Sequence, residues 1–137
     1  MAVLRILVLT TALLAHGAPA AAKDLCFSDL ADNVFVIQKA KKLRKPGRTA
    51  PVIGYAIIPP YSGAVPMSGT AVGAGDPYVV FGILIHSMSY GGFHRAASVL
   101  WNMRTGSASA AFDSDGDGSP NFNVSWNPID CKTVVIP

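Results

Sequence analysis

Between Tyr78 and Asn127 short apolar runs are separated by glycine-rich breaks. In Asn121–Asn127, Phe122, Val124 and Trp126 alternate with Asn121, Asn123 and Ser125, the period of a strand with one wet face. Tyr78–Tyr90, Phe93–Arg104 and Ser107–Phe112 read as three further strands, divided by Gly91-Gly92, Thr105-Gly106 and an Asp/Gly loop. The first half predicts strands over Asn33–Gln38, Pro51–Ile58 and, more weakly, Met67–Val72. Pro59-Pro60 stops the second of these, and Gly73–Pro77 forms a turn after the third. Residues 23–32 read as a lead-in with one helical turn around Ser28–Ala31.

A two-residue turn at Gly91-Gly92 sets a register, because residues directly opposite share a face. It puts Tyr90 opposite Phe93, Met88 opposite Arg95, His86 opposite Ala97, Leu84 opposite Val99 and Gly82 opposite Trp101. Thr105-Gly106 puts Trp101 opposite Ala110, and the Asp/Gly loop pairs Phe112 with Phe122, Ala110 with Val124 and Ala108 with Trp126. Large residues then meet small ones, as a filled interior requires. Phe81, Ile83, Ile85 and Leu100 fall on the other face, to be covered by another sheet, the N-terminal segment or a second subunit in a homo-oligomer. The expected fold class is all-β: a single-domain antiparallel meander of about seven strands, a small barrel or a sandwich. The shape is similar to lipocalin-like and avidin-like barrels, and no motif of either family occurs in the chain.

Composition supports this class. All 8 acidic residues are Asp, and Asp favours turns where Glu favours helices. At the N-terminus, Arg5 precedes an apolar run, Ile6–Ala15, too short to span a bilayer. Ala18-Pro19-Ala20 and Ala20-Ala21-Ala22 fit a signal-peptidase site. Residues 1–22 are therefore expected to be a signal peptide, and 23–137 one β-rich domain exported to the periplasm or the exterior. Roughly 115 residues suit one core. No later stretch is long and apolar enough for a transmembrane helix. In an oxidising compartment Cys26 and Cys131 are expected to pair.

Three groups of residues carry candidate chemistry. Asp113, Asp115, Asp117 and Gly118 match positions 1, 3, 5 and 6 of an EF-hand loop, with Ser119 and Asn121 at positions 7 and 9. The match fails at position 12, where Val124 replaces the bidentate Glu, and the flanks read as strands. The alternatives are a calcium loop with fewer protein oxygens and a plain polar hairpin. Lys39, Lys41, Lys42, Arg44, Lys45 and Arg48 form a basic segment suited to an anionic surface or an acidic protein partner. It has no interleaved aromatics for stacking bases, so no nucleic acid is expected. In the register above, His86 faces the apolar side and reads as a buried, hydrogen-bonded core histidine; the alternative is a polar group at the mouth of a barrel cavity that binds a small ligand with Arg95 and Tyr90, while His94 faces the other way. No catalytic constellation is identifiable, and the lack of Glu removes a common general acid/base. Asn123-Val124-Ser125 is a glycosylation sequon. The chain reads as an exported, non-enzymatic binding domain; the alternatives are a small-ligand carrier and a metal-assisted hydrolase.

Overall fold

A computed structural model describes residues 24–38, 46–60, 62–86, 94–113 and 115–137. The expected signal peptide, Lys39–Lys45, Tyr90 and Gly91-Gly92 lie outside them. Eight antiparallel strands follow in chain order: β1 Leu25–Ser28, β2 Val34–Gln38, β3 Thr49–Ile57, β4 Val65–Gly73, β5 Tyr78–His86, β6 His94–Asn102, β7 Ala108–Asp113 and β8 Phe122–Pro128. Each pairs with the next, and β1 pairs back to β8 through Phe27–Pro128 and Ser28–Asn127, closing a barrel. Closure removes every edge strand.

The eighth strand is β1, where the lead-in was expected. Its four residues show no alternation because both Cys26 and Phe27 are buried, on opposite sides of the wall. The expected helical turn at Ser28–Ala31 is instead a hairpin turn built by Asp29. Its Oδ1 accepts from the Ala31 and Asn33 N–H groups at 2.9 and 3.0 Å. An Asp side chain that bonds the backbone two residues on competes with helix and favours a turn.

Inward positions form one core. Phe27, Phe35 and Phe112 gather around Trp126, with Phe35 stacked on it at 4.1 Å between centroids. Phe81 and Trp101, in the same core, stack with 6.1 Å between centroids. An eight-stranded barrel is just wide enough for side chains to fill. Small residues space the large ones along several rows. Ala108 lies between Trp101 and Trp126, and Ile83 lies between Gly69 and Ala97.

A second apolar cluster lies outside the barrel, over β1–β3. Val36, Tyr55 and Ile57 point outward yet are buried beneath Ile129, Val134 and Ile136. The segment after β8 is held there by the Cys26–Cys131 disulfide, by Ile129 N–H to the Cys26 carbonyl at 2.9 Å, and by Gly63 N–H to the Pro137 carbonyl at 3.1 Å. Strands covered on both faces read as near-continuous apolar runs, which is why β2 and the end of β3 lack a clean alternation.

The last hairpin has the expected register: Phe112, Ala110 and Ala108 oppose Phe122, Val124 and Trp126. The other two differ. Trp101 opposes Ala108 rather than Ala110, because Asn102 organises a longer loop. The Asn102 Oδ1 accepts from Arg104 N–H at 2.9 Å, and its carbonyl accepts from Gly106 N–H at 2.8 Å. In the β5–β6 pair His86 opposes His94, where the two-residue turn predicts Ala97. That displacement is an odd number of residues, and an odd slip exchanges the two faces. Phe81, Ile83 and Ile85 are therefore the core, while Gly82, Leu84 and His86 face outward. Gly82 opposes Ser98, not Trp101.

Candidate functional sites

The Asp loop joins β7 to β8, and Phe112 and Phe122 stack at its base, 5.1 Å between centroids. The Asp113 carboxylate organises it, accepting from Gly116 N–H at 2.7 Å and Gly118 N–H at 2.8 Å. Both glycines have positive φ, 77° and 91°, which turns their amides inward at no Cβ cost. Asp117 accepts from Ser119 N–H at 2.7 Å. Burial is the largest single influence on the Asp113 carboxyl and raises its pKa. The Gly118 and Gly116 hydrogen bonds, with smaller ones from Asp115 and the Asp117 amide, together outweigh it and hold the group below the usual carboxylate value. Oxygens of Asp113, Asp115 and Asp117 lie within 4.8 Å of one another. The Asn121 N–H donates to the Phe112 carbonyl at 2.8 Å, closing the hairpin. Val124, at the twelfth loop position, is in β8 opposite Ala110.

His86, expected to face the apolar side, lies on the outer face instead. Its Nε2 is 2.6 Å from the Ser68 Oγ of β4. Arg95 opposes Ile85 and shares the inward-facing set of β6. His86 and Arg95 therefore sit on opposite faces of the wall and do not form the mouth constellation expected from the two-residue turn. The slip has a second consequence: His86 and His94 occupy directly opposed ladder positions rather than divergent ones.

Of the basic segment, Arg48 is described and exposed. Its carbonyl accepts from Gly73 N–H at 2.9 Å, and Gly47 N–H donates to the Gly73 carbonyl at 2.8 Å, fixing the start of β3 to the end of β4. In an up-and-down barrel, successive connections alternate between ends. The β2–β3 connection is thus at the end opposite the β7–β8 Asp loop, together with the β4–β5 and β6–β7 turns. Asp76 and Arg104 of those turns pair at 3.5 Å. Among the described residues no helix is long and apolar enough to cross a membrane.

No protein-family model, curated protein or solved structure matches the chain.

Proposed function

We propose that this protein is an exported, non-enzymatic β-barrel that binds an anionic surface, or a partner with an acidic face, through its basic end. The observation that supports this reading is the separation of charge by strand order. Asp29, Asp32, Asp113, Asp115 and Asp117 belong to connections at one end, and the connection carrying Lys39, Lys41, Lys42, Arg44, Lys45 and Arg48 belongs to the other. Such an arrangement gives the molecule a field that orients it toward a negative partner. Packed rings in the middle of the barrel also argue for function at the surface. Co-sedimentation with vesicles containing phosphatidylglycerol tests the reading. Binding should fall steeply with salt and weaken by roughly 1 kcal/mol per base when Lys41, Lys42, Arg44 and Lys45 are changed to Gln. Salt-independent binding, or none, would refute it.

A second reading, a calcium ion on the Asp loop, is favoured by the convergence of three carboxylates within 4.8 Å. Each carboxylate has lone pairs beyond those taken by the loop amides. Extracellular modules bind calcium at about 10⁻⁴–10⁻³ M. Native mass spectrometry in low millimolar calcium should find one ion, lost on chelation and in Asp115→Asn.

A further inference from the structure

The outer face of β4–β8 differs from an ordinary soluble surface. Outward positions from Pro66 to Asn127 on these strands contain, among the described residues, no Lys or Arg and a single carboxylate, Asp113. Soluble domains usually carry charge at roughly a quarter to a third of surface positions. On this face an open groove of about 400 Å³ is lined by Tyr78, Leu100, Asn102, Ser109, Ser125 and Asn127, among others. Its geometry follows from the ladder. Leu100, Ser109 and Ser125 form one cross-strand row, and Tyr78 opposes Asn102 in the next. Small serines make the floor, and longer side chains flank it.

We propose that this groove binds a neutral carbohydrate. Tyr78 and Leu100 are 41% and 44% exposed, an apolar wall for the C–H face of a sugar ring. Tyr78, Ser109, Ser125 and Asn127 bring three hydroxyls and an amide to the groove's lining. Hydroxyls and amides both donate and accept, as sugar hydroxyls demand. Asn102 is held in place because its Oδ1 accepts from the Arg104 and Thr105 amides, which leaves Nδ2 to donate. No lining residue is charged, and the adjacent Asp76 and Arg104 neutralise each other at 3.5 Å. An ionic ligand would find no counter-charge here. The volume suits a small ligand, within the usual range of about 300–1,000 Å³.

The groove lies toward the same end of the barrel as the β2–β3 connection but on the wall of β5–β8, and high salt, which suppresses binding to an anionic surface, separates the two readings. The test is an NMR titration of the intact protein with maltohexaose, cellohexaose, laminarihexaose and chitohexaose, each in about 1 M NaCl, where the Debye length is about 3 Å. Shifts should concentrate at Tyr78, Leu100, Asn102, Ser109, Ser125 and Asn127 with at least one sugar. Tyr78→Ala and Asn127→Ala should weaken that sugar at least about tenfold, and Ser109→Trp should block it, each with cooperative unfolding retained. The absence of shifts with every sugar at about 10 mM would overturn the proposal. So would shifts elsewhere, or affinity unchanged in Tyr78→Ala. A dimer in sedimentation equilibrium that Tyr78→Ala dissociates would assign the groove to self-association and also overturn it.

Discussion

At Gly54 and Gly69 neighbouring strands approach so closely that any side chain would strike backbone. A Cβ on Gly54 would overlap the Val36 carbonyl oxygen, and one on Gly69 the Gly82 carbonyl oxygen. Glycine within a strand marks such bends in a barrel wall. Gly82 is the contrast: a Cβ there meets nothing closer than the Thr70 carbonyl oxygen at 3.9 Å, on the open outer face. Gly54→Ala and Gly69→Ala should each cost at least about 2 kcal/mol in urea unfolding. Gly82→Val should lie within about 1 kcal/mol of wild type, since a β-branched residue suits an outward strand position. The two-residue turn at Gly91-Gly92 implies the reverse, a clash of the new side chain with Trp101. The comparison therefore tests the register directly. Asp113 makes a separate prediction through pH. Its folded pKa lies below the ordinary carboxylate value, so its contribution is present above that ordinary value and is lost as pH falls through the depressed one. Asp113→Asn should be less stable than wild type at neutral pH, and the difference should shrink below about pH 4. An equal difference at both ends of a stability–pH profile would mean that the carboxylate's charge contributes nothing.

Among the elements, β1 and the segment after β8 close the molecule. Their ladder is short, with Phe27–Pro128 and Ser28–Asn127 as its pairs. The disulfide reinforces it, joining residues 105 apart in sequence. In the chain-entropy account a loop of that size contributes about 4–5 kcal/mol. Cys26→Ser should thus lower unfolding stability by about 2–5 kcal/mol under oxidising conditions. An unchanged melting temperature would contradict this. Val135, 76% exposed on the same segment, serves as the control, and Val135→Lys should be silent. The pairing of the cysteines was legible because the expected export, the cysteine number and their positions all pointed to it. The strand carrying Cys26 was not legible. Cys26 lies under a segment that returns from more than 100 residues away, and no local period records that contact.

For the molecule as a whole, closure into a barrel puts the β1–β2 and β7–β8 connections, with Asp29, Asp32, Asp113, Asp115 and Asp117, at one end and the β2–β3 connection at the other, and leaves the outer face of β4–β8 nearly free of charge among the described residues. Neutralising Lys41, Lys42, Arg44 and Lys45 should leave stability within about 0.5 kcal/mol of wild type, because solvated charges contribute little to folding. The same change should abolish salt-sensitive vesicle binding. Loss of stability in parallel with binding would mark the segment as structural. The candidate sites were legible to different degrees. The Asp loop is contiguous in sequence, and its aspartates do converge. The His86 and Arg95 pairing depended on a register that no single turn dictated. The groove was invisible in the sequence, because its lining comes from β5, β6, β7 and β8 and no local motif links them.

By itself the sequence determined the all-β class, the positions of seven of the strands, the pairing of the cysteines and the register of the last hairpin. These follow from local alternation, from turn residues and from the chemistry of two thiols. It also carried the rule that large side chains meet small ones, which the last hairpin obeys through the expected pairs Ala108–Trp126 and Ala110–Val124 and the rest of the wall through others, such as Gly69–Ile83 and Ala97–Phe112. Tertiary structure decided the eighth strand, closure into a barrel rather than a sandwich, and which face of β5 is inside. A strand buried on both sides has no period to read, and one apolar set can be exchanged for the other by an odd slip of the ladder. Val79, Phe81, Ile83 and Ile85 go inward where rings from distant strands are there to meet them, and that choice is made by the closed wall rather than by any stretch of it.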